Sequence, residues 1–143
     1  MALKFPFDIV STSTAPEALT GTYNAAAPGV LKDRVVYIDS SGDVGVASNG
    51  ITAGYPSVVG VALTGAVTGS PAVVVLHGEM DLDTPIAGTP TPGADVFFDA
   101  SGVLTTAHPA DSLPEDVGNY TQRVGYVKTS TRLYVKIAEP YKF

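Results

Sequence analysis

Few residues of this chain have the types and spacing that enzyme chemistry requires. The two histidines are His77, which follows an apolar run and is predicted at a strand end, and His108, which precedes Pro109 in a predicted loop. General acid–base catalysis needs a partner group within hydrogen-bond reach, and the sequence indicates none for either histidine. There is no cysteine, and no nucleophile-elbow or phosphate-binding glycine motif occurs. We therefore expect no enzyme activity and no cofactor.

The best metal candidate is a short acidic run in which Glu79, Asp81 and Asp83 alternate with Met80 and Leu82. In a strand this alternation puts the three carboxylates on one face and the apolar side chains on the other. Calcium prefers oxygen ligands, but the run lacks the glycine and the distal glutamate of a calcium-binding loop. A solvated strand face, or a rim that meets a basic partner, is the favoured interpretation, and a cation site is the weaker one.

Asp39 and Asp99 also resemble a matched carboxylate pair, because the sequence around them is repeated. Residues 36–42 (VYIDSSG) return as residues 96–102 (VFFDASG). Each aspartate opens an Asp-x-Ser-Gly turn, in which a short acceptor side chain bonds the backbone two residues on. The repeat therefore predicts a duplicated scaffold of strands and turns, and not a catalytic pair.

The elements that would carry these residues are short strands rich in β-branched and aromatic side chains. Residues 34–39 and 44–47 form a predicted hairpin, and residues 94–98 and 103–106 form its repeat. Further strands are predicted at 57–63, 72–76, 124–128 and 133–137, whereas the proline-rich residues 84–93 are a surface connection. A single helical turn is the most that residues 108–120 allow. The pattern predicts an all-β fold, a small barrel or sandwich with very little helix.

The chain divides into an extended N-terminal arm, residues 1–29, and a single β domain, residues 30–143. The domain contains the pseudo-repeat, at about 30–83 and 94–138. Prolines forbid a continuous helix in the arm, and its apolar residues need a surface to cover them, either on a partner or on the protein's own β domain. The residues that we expect to bind a partner are Lys4, Phe5, Phe7, Ile9 and Val10.

Composition limits the partners. With a net charge of -6 and eight scattered Lys and Arg residues, the chain lacks the basic stripe that nucleic-acid binding needs. No apolar run is long enough for a signal peptide or a membrane span, so we expect neither secretion by that route nor a membrane contact. Only 15% of the residues are charged while 45% are hydrophobic, a balance that suggests contact with neighbouring proteins.

The chain resembles the head decoration, or capsid cement, proteins of tailed bacteriophages. The resemblance covers about Gly29 to Ile137 and is carried by Val36–Gly42, Val58–Leu63, Val73–Gly78, Asp95–Asp99, Arg123–Tyr126 and Leu133–Val135. It implies a small β-barrel of the tulip-like kind with an N-terminal arm that orders against the major capsid protein. It further implies a homotrimer, made in the host cytoplasm, that binds the outer surface of the virion capsid and stabilises the shell against the pressure of packaged DNA.

An alternative is a phage head-fibre or tail-associated β-domain that binds a host surface. Such a recognition module needs an exposed aromatic or polar platform. The chain contains no Trp, which weakens a sugar-stacking platform, so we favour the decoration protein.

Overall fold

The computed structural model describes residues 18–49, 57–107, 120–138 and 141–142. These residues form strands, turns and irregular connections and no helix, and so they include no helix long and apolar enough to span a membrane. The strands are β1 (Leu19–Asn24), β2 (Val35–Ile38), β3 (Val44–Val46), β4 (Ser57–Ala62), β5 (Pro71–Asp81), β6 (Asp95–Phe98), β7 (Leu104–Thr105), β8 (Tyr120–Thr121), β9 (Gly125–Thr129), β10 (Arg132–Val135) and β11 (Tyr141–Lys142). The prediction of an all-β fold is confirmed.

Nine strands form one sheet. Eight of them follow the order β3-β2-β4-β5-β10-β9-β6-β7, and the ninth, β1, pairs with β5. The strands β8 and β11 pair separately, and the strand pairs are antiparallel. An isolated bridge between Arg34 and Val103 joins the start of β2 to the end of the β6–β7 turn. Within the described ranges no ladder of strand pairs closes the sheet on itself, so the strand pairing shows an open sheet.

Both predicted hairpins form, and their turns are almost identical. Oδ1 of Asp39 accepts hydrogen bonds from the amides of Ser41 and Asp43 at 2.8 and 3.0 Å. Asp99 makes the same two bonds, to the amides two and four residues on, at 2.8 and 3.0 Å. The interpretation of both aspartates as turn residues is therefore confirmed.

The two copies of the repeat share one core. The main cluster of buried side chains takes Val35, Ala47, Val61, Val75, Met80 and Leu82 from the first copy and Val96, Phe98, Leu104, Val124, Val127, Leu133 and Val135 from the second, with Ile86 from the connection. A smaller cluster contains Ala25, Val30, Val36, Val44, Ala62, Ala72 and Val74. Because side chains of both copies pack in the same cluster, neither copy has a complete core of its own.

Strand β5 is longer than predicted. It continues to Asp81, so His77 lies inside the strand and not at its end. Gly78 follows His77 with φ 110, and a glycine within an apolar run ordinarily indicates a break. The pairing of β5 with β10, in which Gly78 lies opposite Val135, carries the strand through this position.

Part of the predicted arm belongs to the sheet. Strand β1 pairs with β5 from Leu19, opposite His77, to Asn24, opposite Pro71. The predicted partner-binding residues Lys4, Phe5, Phe7, Ile9 and Val10 lie outside the described residues, as do most of the residues for which a helical turn was predicted. The connection 84–93 lies at the surface as expected, and only Ile86 of its residues is buried.

Candidate functional site

The acidic run lies on the outer face of the sheet with the alternation that the sequence predicts. Met80 and Leu82 are buried, whereas the carboxylates of Asp81 and Asp83 are exposed and Glu79 is half-buried. Side chains of a strand point to opposite faces in turn, so the pattern continues past the last residue of β5. The position of the acids is thus determined by their apolar neighbours.

Basic residues of neighbouring strands neutralise the first two acids. Arg132 lies opposite Asp81 in the pairing of β5 and β10, and its Nε donates to Oδ1 of Asp81 at 2.9 Å. Nη1 of Arg132 is 3.4 Å from Oε1 of Glu79, and Nζ of Lys128 is 3.6 Å from Oε2 of the same glutamate. We call these four side chains the ionic strip. The basic side chains that meet this acidic run therefore belong to the protein's own neighbouring strands, β9 and β10.

The third acid takes no part in the strip. Asp83 lies beyond the end of β5, where its Oδ2 is 3.7 Å from Nζ of Lys32. Among the described residues, no group of three or more metal-ligating side chains comes together. The geometry thus assigns Glu79, Asp81 and Asp83 to ion pairs with three cations, and it does not assemble them as ligands of one ion.

The ionic strip changes the acidity of Asp81. The hydrogen bond from Arg132, and then the charge of its guanidinium, hold the pKa of Asp81 below the ordinary value for a carboxyl. A group whose pKa is lower in the folded than in the unfolded state stabilises the fold above its unfolded pKa, about 3.9, and loses that contribution as the pH falls through the folded pKa. The pair is solvent-exposed, so its contribution to stability is small.

Replacing Arg132 with Gln is expected to raise the pKa of Asp81 towards its ordinary value, because both causes of the shift are removed. An NMR pH titration of the side-chain carboxyl carbons measures this directly. Lys128→Gln is the matched control, since Lys128 contacts Glu79 and not Asp81, and it should leave the Asp81 titration nearly unchanged. Equal shifts in the two variants would contradict the assignment to Arg132.

An aromatic group lies beside the ionic strip on the same face. The rings of Tyr126 and Tyr134 stack with centroids 5.1 Å apart at 12°, and His77 meets Tyr134 edge-on at 5.5 Å and 83°. Tyr126 and Tyr134 lie directly opposite each other on β9 and β10, where aromatic cross-strand pairs stabilise a sheet. The stacked pair covers one face of each tyrosine, while His77 is exposed.

Asp33 is a buried polar residue that sequence reasoning missed. It is 8% exposed and has φ 68, a backbone region that aspartate tolerates better than most residues. Its Oδ2 accepts the amides of Asp83 and Thr84 at 2.8 and 3.2 Å, which fixes the start of the connection after β5. Next to Lys32 in the sequence, Asp33 looks like an ordinary surface residue, so no local pattern indicates this role.

An open groove is a further feature that the sequence did not predict. Its volume is about 840 Å³, and it is lined by Ala27, Pro28, Gly29, Val30, Leu31, Arg34, Tyr37, Gly45, Val46, Gly65, Ala66 and Val67. Leu31 is 56% exposed and Val67 is 72% exposed, so its lining presents apolar side chains to solvent, and we call these two residues its rims. Among the described residues that line it, only Arg34 is charged, and Nη1 of Arg34 donates to the carbonyl of Ser101 at 3.1 Å.

Comparison with known proteins adds no relative: no family model matches the chain, and no curated protein matches its sequence significantly.

Proposed function

We propose that this chain is a structural virion protein, a decoration or cement protein that binds the outside of a tailed-phage capsid and works by contact area. The observation that carries the proposal is the groove with exposed Leu31 and Val67 on its rims, an apolar surface that association with further copies on the shell would cover. Exposed apolar surface of this kind serves binding to another macromolecule. The carboxylates that were candidates for catalysis or metal binding have structural contacts in the fold. Asp39 and Asp99 bond the amides of their turns, and the acidic run forms ion pairs.

The finer architecture that we propose is a tulip-like barrel. Its support is the approach of the β6–β7 turn to β2, where the amide of Val35 donates to the carbonyl of Gly102 at 2.9 Å and Arg34 bridges Val103. The partners are the major capsid protein and further copies of the chain, assembled as a homotrimer on the outer surface of the capsid. The net charge of -6 argues against nucleic acid as a partner.

The copy number on purified virions tests the proposal. Quantitative mass spectrometry of particles that carry this chain should find it in numbers comparable with the major capsid protein, because a cement protein acts at every repeat of the shell. Adding the purified protein to capsids that lack it should raise their resistance to heat and osmotic shock. A few copies at one vertex or on the tail, or no gain in resistance, would overturn the proposal.

A second candidate is a module that binds a host surface, and the aromatic group of His77, Tyr126 and Tyr134 favours it. The exposed His77 and the two half-buried tyrosines share one face with charged side chains, and such a face is the platform that a recognition module needs. A glycan array and a host-cell binding assay, each run with the wild-type protein and with His77→Ala, test it. Binding that the variant loses would support this candidate, and a wild-type protein that binds neither would exclude it.

A further inference from the structure

The two copies of the repeat differ in how the outer edge of the hairpin is covered. In the second copy the connection runs alongside β7 as a parallel bridge between Ala87 and Thr105. The amide of Ala87 donates to the carbonyl of Leu104 at 3.1 Å, and the amide of Thr106 donates to the carbonyl of Ala87 at 3.0 Å. An extended segment therefore completes this edge.

In the first copy the same covering begins and then stops. The amide of Ala26 donates to the carbonyl of Val44 at 2.7 Å, which corresponds to the bond of Ala87 with Leu104. The carbonyl of Ala26 is then taken by the amide of Gly29, at 2.7 Å, because the chain turns away from the strand. Val46 corresponds to Thr106 in the repeat. Its amide therefore does not meet the carbonyl of Ala26, whereas the amide of Thr106 bonds the equivalent carbonyl of Ala87.

The backbone of Val46 faces outwards at this edge. Residues of an antiparallel pair alternate between bonding the partner strand and pointing away from it. The bonds of Asp39 with Asp43 and of Ala47 with Val35 fix which residues of the hairpin bond inwards, and Val46 belongs to the other set. In the described part of the chain, no backbone group outside the hairpin pairs with Val46.

The edge that is unpaired among the described residues borders the apolar groove, because Val46 lines the groove. An unpaired strand edge is a template for a strand from another chain. In such an addition the main-chain bonds give affinity and pockets for alternate side chains give specificity. The groove combines the edge at Val46 with apolar rims at Leu31 and Val67 and a cation at Arg34.

We propose that this groove receives residues 4–10 of a neighbouring copy of the chain as an added strand on β3. In that segment Phe5, Phe7 and Ile9 alternate, so an extended backbone presents all three on one face, which suits the apolar rims. Asp8 points to the other face of such a strand and supplies a carboxylate for Arg34, whose guanidinium in the described structure donates only to the neutral carbonyl of Ser101. The proposal concerns how copies associate, and it does not depend on a phage shell.

The direction of β1 favours a neighbour's groove over the protein's own. Strand β1 ends at Asn24, near the start of the groove at Ala27, so the chain before Leu19 leaves from the opposite end of β1, about 20 Å away. Eight residues lie between Val10 and Leu19, so an extended chain spans about 30 Å from one to the other, enough to reach an adjacent copy.

A contact between the arm of one copy and the groove of the next is heterologous. Such a contact generates a closed ring when the rotation between copies closes. Ring closure is compatible with the homotrimer of the proposed function, and sedimentation measures the number of copies in the ring. The two halves of the contact can be altered separately, because the arm and the groove belong to different parts of the chain.

The test uses full-length chains and sedimentation velocity. The wild-type protein should associate, and Phe7→Asp in the arm and Arg34→Glu in the groove should each weaken association at least about tenfold. Combining Asp8→Lys with Arg34→Glu should restore most of it, because the charge pair is reversed and not removed. A thermal melt of each variant checks that it is folded. Because Phe7 lies outside the described β structure, a loss of association in Phe7→Asp reports on binding and not on folding.

A mixing experiment identifies the occupant. Phe7→Asp chains keep an intact groove and Arg34→Glu chains keep an intact arm, so an equimolar mixture should form heterodimers, whereas each variant alone should be monomeric. A monomeric wild-type protein would overturn the proposal. So would association that Phe7→Asp leaves intact, since the groove would then hold something other than the arm, and so would a mixture that stays monomeric.

Discussion

Gly102→Ala should destabilise the protein by about 3 kcal/mol, far more than a methyl group added to an exposed turn. Gly102 has φ 76, and a side chain in this left-handed region costs about 1–2 kcal/mol. A Cβ at this position would also lie 2.6 Å from Cγ1 of Val46 and 2.9 Å from the carbonyl oxygen of Ala47. Overpacking of this kind adds about 1–3 kcal/mol.

The repeat supplies a matched control in Gly42. Its φ is 85, and a Cβ there would meet nothing within 4 Å. Gly42 and Gly102 each donate to the carbonyl of the turn aspartate at 3.1 Å, so the two turns differ chiefly in what surrounds them. Gly42→Ala should therefore cost only the backbone term, about 1–2 kcal/mol.

Chemical denaturation of the two variants, followed by circular dichroism, measures the difference. A larger loss of unfolding free energy for Gly102→Ala shows that the second turn is packed against the first copy. Equal losses would contradict that packing, because the backbone cost is common to both. The comparison also tests the approach of the two ends of the sheet, on which the proposed barrel depends.

Phe98→Ala is expected to cost about 3–5 kcal/mol, the usual range for truncating a buried phenylalanine. Phe98 is 1% exposed and lies in the cluster that joins the two copies. Because both copies contribute to this cluster, its loss should weaken the whole β domain. The unfolding transition should therefore remain single and move to lower denaturant.

Calorimetry decides whether the two copies unfold together. A calorimetric enthalpy equal to the van't Hoff enthalpy, in the wild-type protein and in Phe98→Ala, indicates one cooperative unit. Two resolved transitions, of which only one moves in the variant, would show that the copies fold independently. Leu19→Ala is the surface control, since Leu19 is 63% exposed, and its effect should stay within about 0.5 kcal/mol.

Local patterns in the sequence were sufficient for the hairpins. β-branched runs that meet at Asp-x-Ser-Gly predict both strands and turn, because the aspartate satisfies the turn amides without help from the rest of the chain. The alternation of the acidic run predicts its two faces for the same reason, since side chains on a strand alternate whatever its partner is. These predictions need no knowledge of which strands are neighbours.

The candidate sites depended on neighbours that no local pattern identifies. Arg132 is paired with Asp81 because β10 lies beside β5 in one register, and Asp33 reaches the amides of Asp83 and Thr84 across a large separation in sequence. Strand β5 passes through Gly78 because β10 pairs with it there. Long-range pairing decides each of these features, and a single sequence does not contain it explicitly.

The sequence by itself determined an all-β chain with two nearly identical hairpin turns, because turn chemistry and strand alternation act over a few residues. Only the tertiary structure decided how those equal hairpins differ. One turn packs through Gly102 against the other copy, while Gly42 faces open space. One hairpin edge is covered by Ala87, whereas at Val46 no backbone group of the described residues covers the other. The difference arises from the segments that reach each hairpin from elsewhere in the chain, and the similar local sequences place no constraint on them.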